Sequence, residues 1–131
     1  KDFEKKCGRW QKVAQSAAQQ SKRGVIPKVK GVLQFSQLPE QLELFDAVIF
    51  AYEECRDRKI SQHIEELKSS KNRTVQKIAV IIGSEGGFAP TEAELLVQCG
   101  YPPVSLGKTI LRAELAPAMA VTAILYGLDV L

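Results

Sequence analysis

The sequence Ile-Ala-Val-Ile-Ile-Gly-Ser-Glu-Gly-Gly-Phe-Ala-Pro-Thr, residues Ile78 to Thr91, decides the fold of this chain. Its apolar, β-branched first part is typical of a buried strand, which must end at Gly83 because a glycine-rich turn follows. A helix is predicted next, because Thr91 and Glu94 have the spacing of a capping box. A strand, a glycine loop and a helix form the half-unit on which α/β proteins bind ligands, beyond the carboxyl ends of their strands.

The glycines of this loop do not fit the common phosphate-binding patterns. Gly83, Gly86 and Gly87 match neither G-x-G-x-x-G nor the eight-residue phosphate loop that ends in Gly-Lys-Ser/Thr. Glu85 also argues against a phosphate, because a carboxylate repels an anion but can accept from ribose hydroxyls or lie near a cationic ligand. The alternative is a tight strand-to-helix turn with Glu85 in solvent, since glycine turns are common.

Length and composition indicate one globular domain. The chain has 131 residues, of which 45% are hydrophobic and 25% charged, values that are ordinary for a soluble domain. The formal net charge is +3, and several of the basic residues lie between Lys1 and Lys30. This basic segment is either a surface for nucleic acid or the solvated face of an amphipathic helix.

The few cysteines and histidines predict neither a disulfide framework nor a metal site. Cys7, Cys55 and Cys99 are odd in number and widely spaced without a C-x-x-C pair, and His63 is the single histidine. Such free thiols fit a reducing cytoplasm best. His63 stands among polar residues on a predicted helix, so we expect its side chain to be exposed.

The first third of the chain is predicted to begin with an amphipathic helix. Residues at helical spacing place it over Arg9 to Ser21, after a frayed charged end, with Gly24 to stop it. Val25 to Val29 contains a proline and is predicted to be a short extended piece at a sheet edge, and Gly31 to Glu43 fits a short helix broken near Pro39. The apolar face of the first helix would consist of Trp10, Val13, Ala14, Ala17 and Ala18.

The remaining part of the chain alternates between strands and helices, which predicts a parallel sheet with helices on both faces. The polar run from Glu53 to Arg58 marks where the chain emerges into solvent after the first strand. The loop after the last strand, Gly107 to Glu114, would open on the same edge as the Gly83 loop, so we expect one ligand between them. The predicted strands are Ala47 to Tyr52, the run from Ile78, and Val104 to Leu106; the predicted helices are the segment around Ile60, Ile64 and Leu67, Glu92 to Cys99 with Gly100 as its cap, and a last helix to about Tyr126.

The last helix is predicted to be buried in the protein. Leu115 to Leu131 is apolar, but it is shorter than a membrane span and contains Pro117 and Asp129. No membrane contact is therefore expected.

Two segments of the chain resemble the signature loops of a known enzyme family. They are Ile-Gly-Ser-Glu-Gly-Gly-Phe (Ile82 to Phe88) and Leu-Gly-Lys-Thr-Ile-Leu-Arg-Ala-Glu-Leu-Ala (Leu106 to Ala116). Both are similar to the ribosomal RNA small subunit methyltransferase E family, in the SPOUT class of S-adenosylmethionine-dependent enzymes. The likeness covers essentially the whole chain, because the family is also resembled upstream by Arg9-Trp10-Gln11-Lys12-Val13, Gln20-Ser21, Arg23 and Pro27.

The resemblance implies a fold and a reaction. The fold is an α/β methyltransferase domain over residues 1–131 with a C-terminal deep trefoil knot, usually found as a homodimer. The reaction is methyl transfer from S-adenosyl-L-methionine to N3 of a uridine in small-subunit ribosomal RNA. A knot or dimer seam is compatible with small side chains on the last helix, which let another backbone approach closely; these are Ala113, Ala116, Ala118, Ala120 and Ala123.

The resemblance also assigns residues to the site. Arg112 is expected to hold phosphate or to stabilise a developing uridine anion, and Glu114 to act as the base or to orient it. The alternative for Arg112 is a structural ion pair with Glu114 or Glu85. The residues expected to bind the cofactor, mostly through backbone groups, are Ile82, Gly83, Glu85, Gly86, Gly87, Leu106, Gly107, Ile110 and Leu111.

The chain departs from the family pattern at three positions and at its start. Ser84 replaces a usual proline, and Ala113 and Leu115 replace usual threonines, which removes two hydroxyls near the expected substrate side. The family's amino-terminal RNA-binding barrel, and the first strand and helix of its methyltransferase domain, are not recognisable before Lys1, so a fragment is expected. Two alternatives follow: a nucleotide- or RNA-binding module that keeps the fold without catalysis, and a SPOUT methyltransferase with another RNA substrate.

Overall fold

The computed structural model describes residues 2–20, 26–69, 77–84, 86–106 and 115–128. The chain divides into two compact units, Lys1–Phe35 and Ser36–Leu131. A short 3-10 turn, Phe35–Gln37, precedes the second helix. The helices are α1 (Asp2–Gln20), α2 (Leu38–Leu42), α3 (Ile60–Ser69), α4 (Pro90–Gln98) and α5 (Ala116–Gly127), and the strands are β1 (Ala47–Ala51), β2 (Ile78–Ile82) and β3 (Pro103–Val104).

The first unit is built on α1, which begins seven residues before the predicted start at Arg9. The predicted apolar face is wrong in three of its members, because Trp10 is 44% and Val13 62% exposed and Ala17 is exposed as well. The less exposed face follows the helical repeat through Cys7, Gln11, Ala14 and Ala18 instead. Large apolar side chains therefore lie on the outer face of this helix.

The segment after α1 is held by a side chain and is not part of a sheet. The Gln11 amide donates to the carbonyl of Pro27 at 2.9 Å and accepts from the N–H of Val29 at 2.6 Å. The predicted edge strand is wrong for residues 26–29, which have no regular structure. The backbone groups that a neighbouring strand would need are taken by Gln11. The predicted stop at Gly24 lies outside the described residues.

The second unit contains a three-stranded parallel sheet in the order β2, β1, β3. Ile49 of β1 is in register with Val80 of β2, and Ala51 with Val104 of β3. All five residues of β1 are buried, as expected for the central strand of a parallel sheet that is covered on both faces. The α/β fold and the parallel sheet are thus confirmed.

One face of this sheet packs against α3 and α5. The core there joins Ile49 and Val104 of the sheet to Ile64 of α3 and Ile124 of α5. Burying a side chain of this size contributes about 1.5–3 kcal/mol, so four of them supply a large part of the stability of a small unit. Gly127 lets α5 approach α3 closely, since a Cβ there would lie 2.7 Å from Cγ2 of Ile64.

The end of α4 is as predicted, but its start is not. The predicted capping box of Thr91 and Glu94 is wrong, because α4 already begins at Pro90, where the fixed φ of proline suits the first turn. The carboxylate of Glu92 instead accepts from the N–H of Ala89 at 2.8 Å. At the other end Gly100, with φ 93°, confirms the predicted cap. Its N–H and that of the next residue bond back into the last turn, each at 3.0 Å, which is a Schellman arrangement.

Two further boundaries differ from the prediction. Pro39 lies in the first turn of α2 rather than breaking a helix. The predicted strand Val104 to Leu106 is shorter, because β3 pairs with β1 only at Pro103 and Val104. Ser105 then forms an isolated bridge with Lys59. The regular pairing of β3 with β1 thus ends at Val104, and Leu106 has no place in the sheet.

Candidate functional site

The loop after β2 is a closed turn. The N–H of Gly87 donates to the carbonyl of Ser84 at 2.9 Å, and these two residues form an antiparallel bridge. Gly87 has φ 74°, a conformation that other residues rarely adopt. A Cβ on Gly86 would meet nothing within 4 Å, so this part of the turn faces open space. The turn therefore offers its backbone to a ligand at the carboxyl end of β2.

A carboxylate from the neighbouring strand reaches this turn. Glu53 follows the end of β1, and its Oε1 occupies the space that a Cβ on Gly87 would take. A side chain at residue 87 would therefore require the Glu53 carboxylate to move. The turn after β2 and the exit of β1 thus form one surface, with a negative charge beside exposed backbone.

A cluster of three aromatic rings packs next to the turn. Phe50 is fully buried and stacks on Tyr52 with 5.4 Å between ring centroids. Phe88, the residue after the turn, packs edge-on against Phe50 at 4.9 Å and against Tyr52 at 6.0 Å. Aromatic pairs of this kind contribute about 0.5–1.5 kcal/mol each beyond their buried area. A Cβ on Gly83 would lie 3.1 Å from the Phe88 ring, so the turn fits closely onto this cluster.

Tyr52 also borders an open groove along α4. The groove has a volume of about 620 Å³. Its walls combine an aromatic ring and apolar side chains with two polar side chains, Glu94 and Gln98. The lining residues are Tyr52, Pro90, Ala93, Glu94, Val97 and Gln98.

The strand β3 ends at the same carboxyl edge of the sheet as the glycine turn. Hydrogen bonds join it there to the chain that leaves β1. Tyr52 N–H donates to the Val104 carbonyl at 3.1 Å, and Ser105 N–H donates to the Arg58 carbonyl at 2.7 Å. The buried thiol of Cys55 contacts the carbonyl of Pro103 at 3.5 Å. Leu106 therefore follows β3 on the far side of β1 from the glycine turn.

Five of the predicted cofactor residues can be placed. Ile82 ends β2, and the three glycines that follow, Gly83, Gly86 and Gly87, belong to the closed turn. Leu106 lies after β3 at the same edge of the sheet. The others lie outside the described residues, as do both predicted catalytic residues; they are Glu85, Gly107, Ile110, Leu111, Arg112 and Glu114.

Sequence reasoning missed Tyr52 and Glu53 as site residues. In the sequence, the polar run from Glu53 indicates only the emergence of the chain into solvent. A signal was available, because the first side chains beyond a buried parallel strand lie at the edge where α/β proteins bind ligands. Their contact with the glycine turn depends on β1 being the neighbour of β2, which only the strand order reveals.

The predicted exposure of His63 is wrong, since this side chain is 9% exposed. Arg58 Nη2 lies 3.3 Å from His63 Nδ1 and 2.5 Å from a carboxylate oxygen of Glu66. An arginine can only donate, so a hydrogen bond between these two atoms requires the neutral tautomer of His63 with its proton on Nε2. Burial and the Arg58 charge lower the pKa of His63, against a smaller opposing effect of Glu66. The hydrogen bond from Arg58 lowers the pKa of the Glu66 carboxyl.

Metal-ligand clusters and membrane-spanning helices are both absent from the described residues. No group of three or more His, Cys, Asp and Glu side chains in this part of the chain could hold a metal ion. No helix among the same residues has the length and apolar character needed to cross a bilayer.

The fold and the edge site define a ligand-binding α/β domain, with a glycine turn and a carboxylate beyond the carboxyl ends of parallel strands. The chain belongs to the RNA methyltransferase domain family, which it matches over residues 1–125. It is 35% identical over 131 residues to the ribosomal RNA small subunit methyltransferase E of Bacillus subtilis strain 168, covering 100% of this chain and 51% of the relative. The chain thus spans about half the length of the curated relatives it matches.

Solved structures share the fold. The crystal structure of a hypothetical protein superposes with a TM-score of 0.81 at 33% identity, over 96% of this chain and 48% of that one. The ribosomal RNA small subunit methyltransferase E from Neisseria gonorrhoeae, bound to S-adenosyl methionine, superposes with a TM-score of 0.74 at 26% identity, over 96% and 49%. The resemblance to this family that the two loop motifs carry is therefore confirmed.

Proposed function

We propose that this chain binds S-adenosylmethionine at the carboxyl edge of its sheet and transfers the methyl group to N3 of a uridine in small-subunit ribosomal RNA. Membership of the RNA methyltransferase domain family supports methyl transfer to RNA. The names of the curated relatives support the small ribosomal subunit as the source of that RNA. The N3 position comes from the resemblance of the two loop motifs to the methyltransferase E family.

The glycine turn with Glu53 beside it is the observation that carries the cofactor assignment. A Cβ on Gly86 would meet nothing within 4 Å, so a ligand can approach the backbone there, whereas the space beside Gly87 holds the Glu53 carboxylate. S-adenosylmethionine has ribose hydroxyls that a carboxylate can accept from, and it is cationic at sulfur and at its amino group. These residues fit such a cofactor better than they fit a phosphate.

We assign the cofactor contacts to both loops. Backbone groups of Ile82, Gly83, Gly86, Gly87 and Leu106 form the described part of the site. Glu53 orients the cofactor by accepting hydrogen bonds or by attracting its positive charge. The residues proposed from the remaining part of the two loops are Glu85, Gly107, Ile110 and Leu111.

The bound cofactor supplies a methyl group that is made electrophilic by its positively charged sulfur. Uridine N3 carries a proton at neutral pH, which must leave before or during attack so that the nitrogen lone pair can form the new N–C bond. We assign Glu114 to take or direct this proton. Arg112 stabilises the negative charge that develops on the uracil ring, for which its planar fork of donors is suited.

Assembly as a homodimer, a C-terminal trefoil knot and a cytoplasmic location also belong to this proposal. α5 buries Ala116, Ala120 and Ile124 within the chain. Its outer face carries exposed apolar side chains, including Met119 at 47% and Tyr126 at 75%. A second copy that covers this face would remove apolar surface from water. Free cysteines at positions 7, 55 and 99 fit a reducing compartment.

A binding module without catalysis is the second candidate. It is favoured by Ala113 and Leu115, which stand where the family usually has threonine hydroxyls. The two candidates agree on cofactor or nucleotide binding and differ only in turnover. Transfer of a labelled methyl group to RNA separates them.

Calorimetric titration with S-adenosylmethionine tests the cofactor assignment, and ATP is the matched control ligand. Both ligands contain adenosine, but only ATP carries phosphates, which this edge repels. We expect saturable binding of S-adenosylmethionine and much weaker binding of ATP. Tighter binding of ATP, or no heat with S-adenosylmethionine, would remove this site from the proposal.

A further inference from the structure

Arg58 joins the chain that leaves β1 to the helix that follows it. Its Nη2 lies 3.3 Å from Nδ1 of His63 and donates at 2.5 Å to the carboxylate of Glu66. Both partners belong to α3, and residues three positions apart on a helix lie on the same face. One nitrogen of Arg58 therefore bridges two neighbouring side chains of that helix.

The main chain of Arg58 is bonded in a different direction, to the end of β3. Its carbonyl accepts from the N–H of Ser105 at 2.7 Å. The buried thiol of Cys55 lies 3.7 Å from the same carbonyl and 3.5 Å from the carbonyl of Pro103. Ser105 directly precedes Leu106, one of the proposed cofactor residues. Arg58 thus connects α3 to the part of the cofactor edge that follows β3.

Glu53 lies on the same stretch of chain, five residues before Arg58. The N–H of Cys55 donates to the carbonyl of Tyr52 at 3.0 Å, and Nη1 of Arg56 donates to the carbonyl of Glu53 at 2.8 Å. The chain between β1 and Arg58 is therefore folded back on itself in a compact turn. A displacement of Arg58 is transmitted through this turn to Glu53.

The bridge from Arg58 depends on the protonation state of His63. Because arginine can only donate, Nδ1 accepts from it only while the imidazole is neutral. A proton on Nδ1 would leave two cations with facing nitrogens 3.3 Å apart, at a side chain that is 9% exposed and poorly screened by water. The imidazolium can pair instead with Glu66, on the same face of α3. Protonation of His63 therefore displaces Arg58 from both of its partners.

Arg58 and Glu66 are the charged side chains that act on His63. Burial lowers the pKa of His63 most, the charge of Arg58 lowers it further, and Glu66 raises it. The elements that pack against α3, which are β1 and α5, contain no Asp, Glu, Lys, Arg or His. Tyr126, the titratable residue of α5, is exposed. The position of the Arg58 side chain thus follows the proton on His63.

We propose that Arg58 is a positioning residue for the cofactor edge, which holds the chain that carries Glu53 while His63 is neutral and releases it when His63 takes up a proton. The inference rests on the proposed function in taking S-adenosylmethionine as the ligand. Because the cofactor binds the held form better, its affinity is complete above the ordinary histidine pKa of 6.5 and decreases as the pH falls toward the lower pKa of the folded chain. Bound cofactor in turn makes His63 harder to protonate.

Calorimetric titration of the full chain with S-adenosylmethionine tests the role of His63. Between about pH 7.5 and pH 5.5 the parent should lose affinity about threefold or more. His63→Asn keeps an acceptor in the place of Nδ1 but cannot take up the proton. It should bind like the parent at the higher pH and lose much less affinity on acidification, since protonation of the cofactor itself affects both proteins equally. A parental decrease of affinity in His63→Asn would overturn the proposal.

Two variants that each remove one cation test Arg58 itself. Arg58→Met keeps an unbranched stem in place of the buried part of the side chain and removes the donors, whereas Lys59→Met removes an exposed cation next to it. At neutral pH, Arg58→Met should bind S-adenosylmethionine about fivefold more weakly and respond little to acidification. Lys59→Met should behave like the parent. Equal affinities of these two variants would show that Arg58 has no positioning role.

The thiol of Cys55 reports the same displacement in the absence of cofactor. It is buried beside the carbonyl of Arg58, whereas Cys99 is exposed. The probe is N-ethylmaleimide, and the ratio of the initial labelling rates of Cys55 and Cys99 largely cancels the common effect of pH on thiolate formation. This ratio should increase in the parent as the pH falls below about 6.5, and it should already be increased at neutral pH in Arg58→Met. A constant ratio in both proteins would contradict the release of this chain.

The two readouts separate this inference from the proposed function. A parent that binds no S-adenosylmethionine, but whose labelling ratio changes with pH and in Arg58→Met as expected, contradicts only the proposed function. Cofactor affinity that is the same at both pH values and in Arg58→Met contradicts only the role of Arg58.

Discussion

The Glu53 carboxylate lies where a side chain at Gly87 would be, so the exit of β1 and the turn after β2 share one surface. Gly87 has φ 74° and hydrogen-bonds back to Ser84, which fixes the turn against that carboxylate. The contact joins residues that are 34 positions apart in the sequence. The proposed cofactor site at this edge of the sheet rests on this contact.

Gly87→Ala is expected to weaken cofactor binding beyond its effect on stability. Gly87 and Gly100 both have a positive φ. Replacing either glycine by alanine should therefore cost about 1–2 kcal/mol of folding free energy. A Cβ on Gly100 meets nothing within 4 Å, so Gly100→Ala is the matched control. Urea unfolding should give similar losses, while only Gly87→Ala displaces Glu53 and lowers S-adenosylmethionine affinity in calorimetry. Equal affinities in the two variants would show that the contact with Glu53 is irrelevant to binding.

Glu53→Gln is expected to reduce affinity for S-adenosylmethionine about fivefold, since a solvent-exposed charge interaction contributes about 1 kcal/mol or less. The adjacent Glu54 is also exposed, which makes Glu54→Gln a control with the same change of charge. The difference should diminish at high salt, because screening weakens interactions between exposed charges. Indistinguishable titrations of the two variants would assign Glu53 no part in the site.

The sequence predicted the elements whose pattern is local and failed where a distant residue decides the outcome. β1, β2 and α3 were predicted because an apolar run or a helical repeat is visible within each segment, and Gly100 because a cap needs only its own turn. The edge strand near Pro27 was wrong because Gln11, 16 residues away, takes its backbone groups. The burial of His63 could not be predicted either, since it depends on how α3 packs.

Ala120→Glu is expected to unfold or strongly destabilise the chain. Ala120 is fully buried within the single chain, so the new carboxylate would lose its hydration without a partner. A cost of about 3 kcal/mol or more is expected in denaturant unfolding. Ala118 lies on the exposed side of the same helix, and at concentrations where the chain is monomeric Ala118→Glu should change stability by no more than about 0.5 kcal/mol. If both variants melt at the parental temperature, the packing of α5 is not as described.

Stability should fall as the pH decreases below the ordinary pKa of histidine. The folded-state pKa of His63 lies below its unfolded value of 6.5, so the unfolded chain takes up the proton first. The contribution of His63 is therefore complete above about pH 6.5 and is lost as the pH falls toward the folded pKa. Unfolding free energies measured from pH 7.5 downward should show this slope.

The variant His63→Gln should remove the part of the slope that begins near pH 6.5. Glu66→Gln should affect mainly the more acidic range, because the lowered pKa of Glu66 supplies stability above its unfolded value of 4.5 that is lost as the pH falls through the folded pKa. A parental slope that persists in His63→Gln between pH 7 and 5 would assign it to other groups.

Methyl transfer tests the central claim most directly. The chain is incubated with small-subunit ribosomal RNA and S-adenosylmethionine carrying an isotopically labelled methyl group, and the RNA is digested to nucleosides for mass spectrometry. We predict labelled N3-methyluridine in the digest, and its loss when Gly87→Ala replaces the parent at limiting cofactor. If uridine stays unlabelled at an S-adenosylmethionine concentration that saturates the binding measured by calorimetry, catalysis is contradicted. Label on any other nucleoside would contradict the proposed reaction.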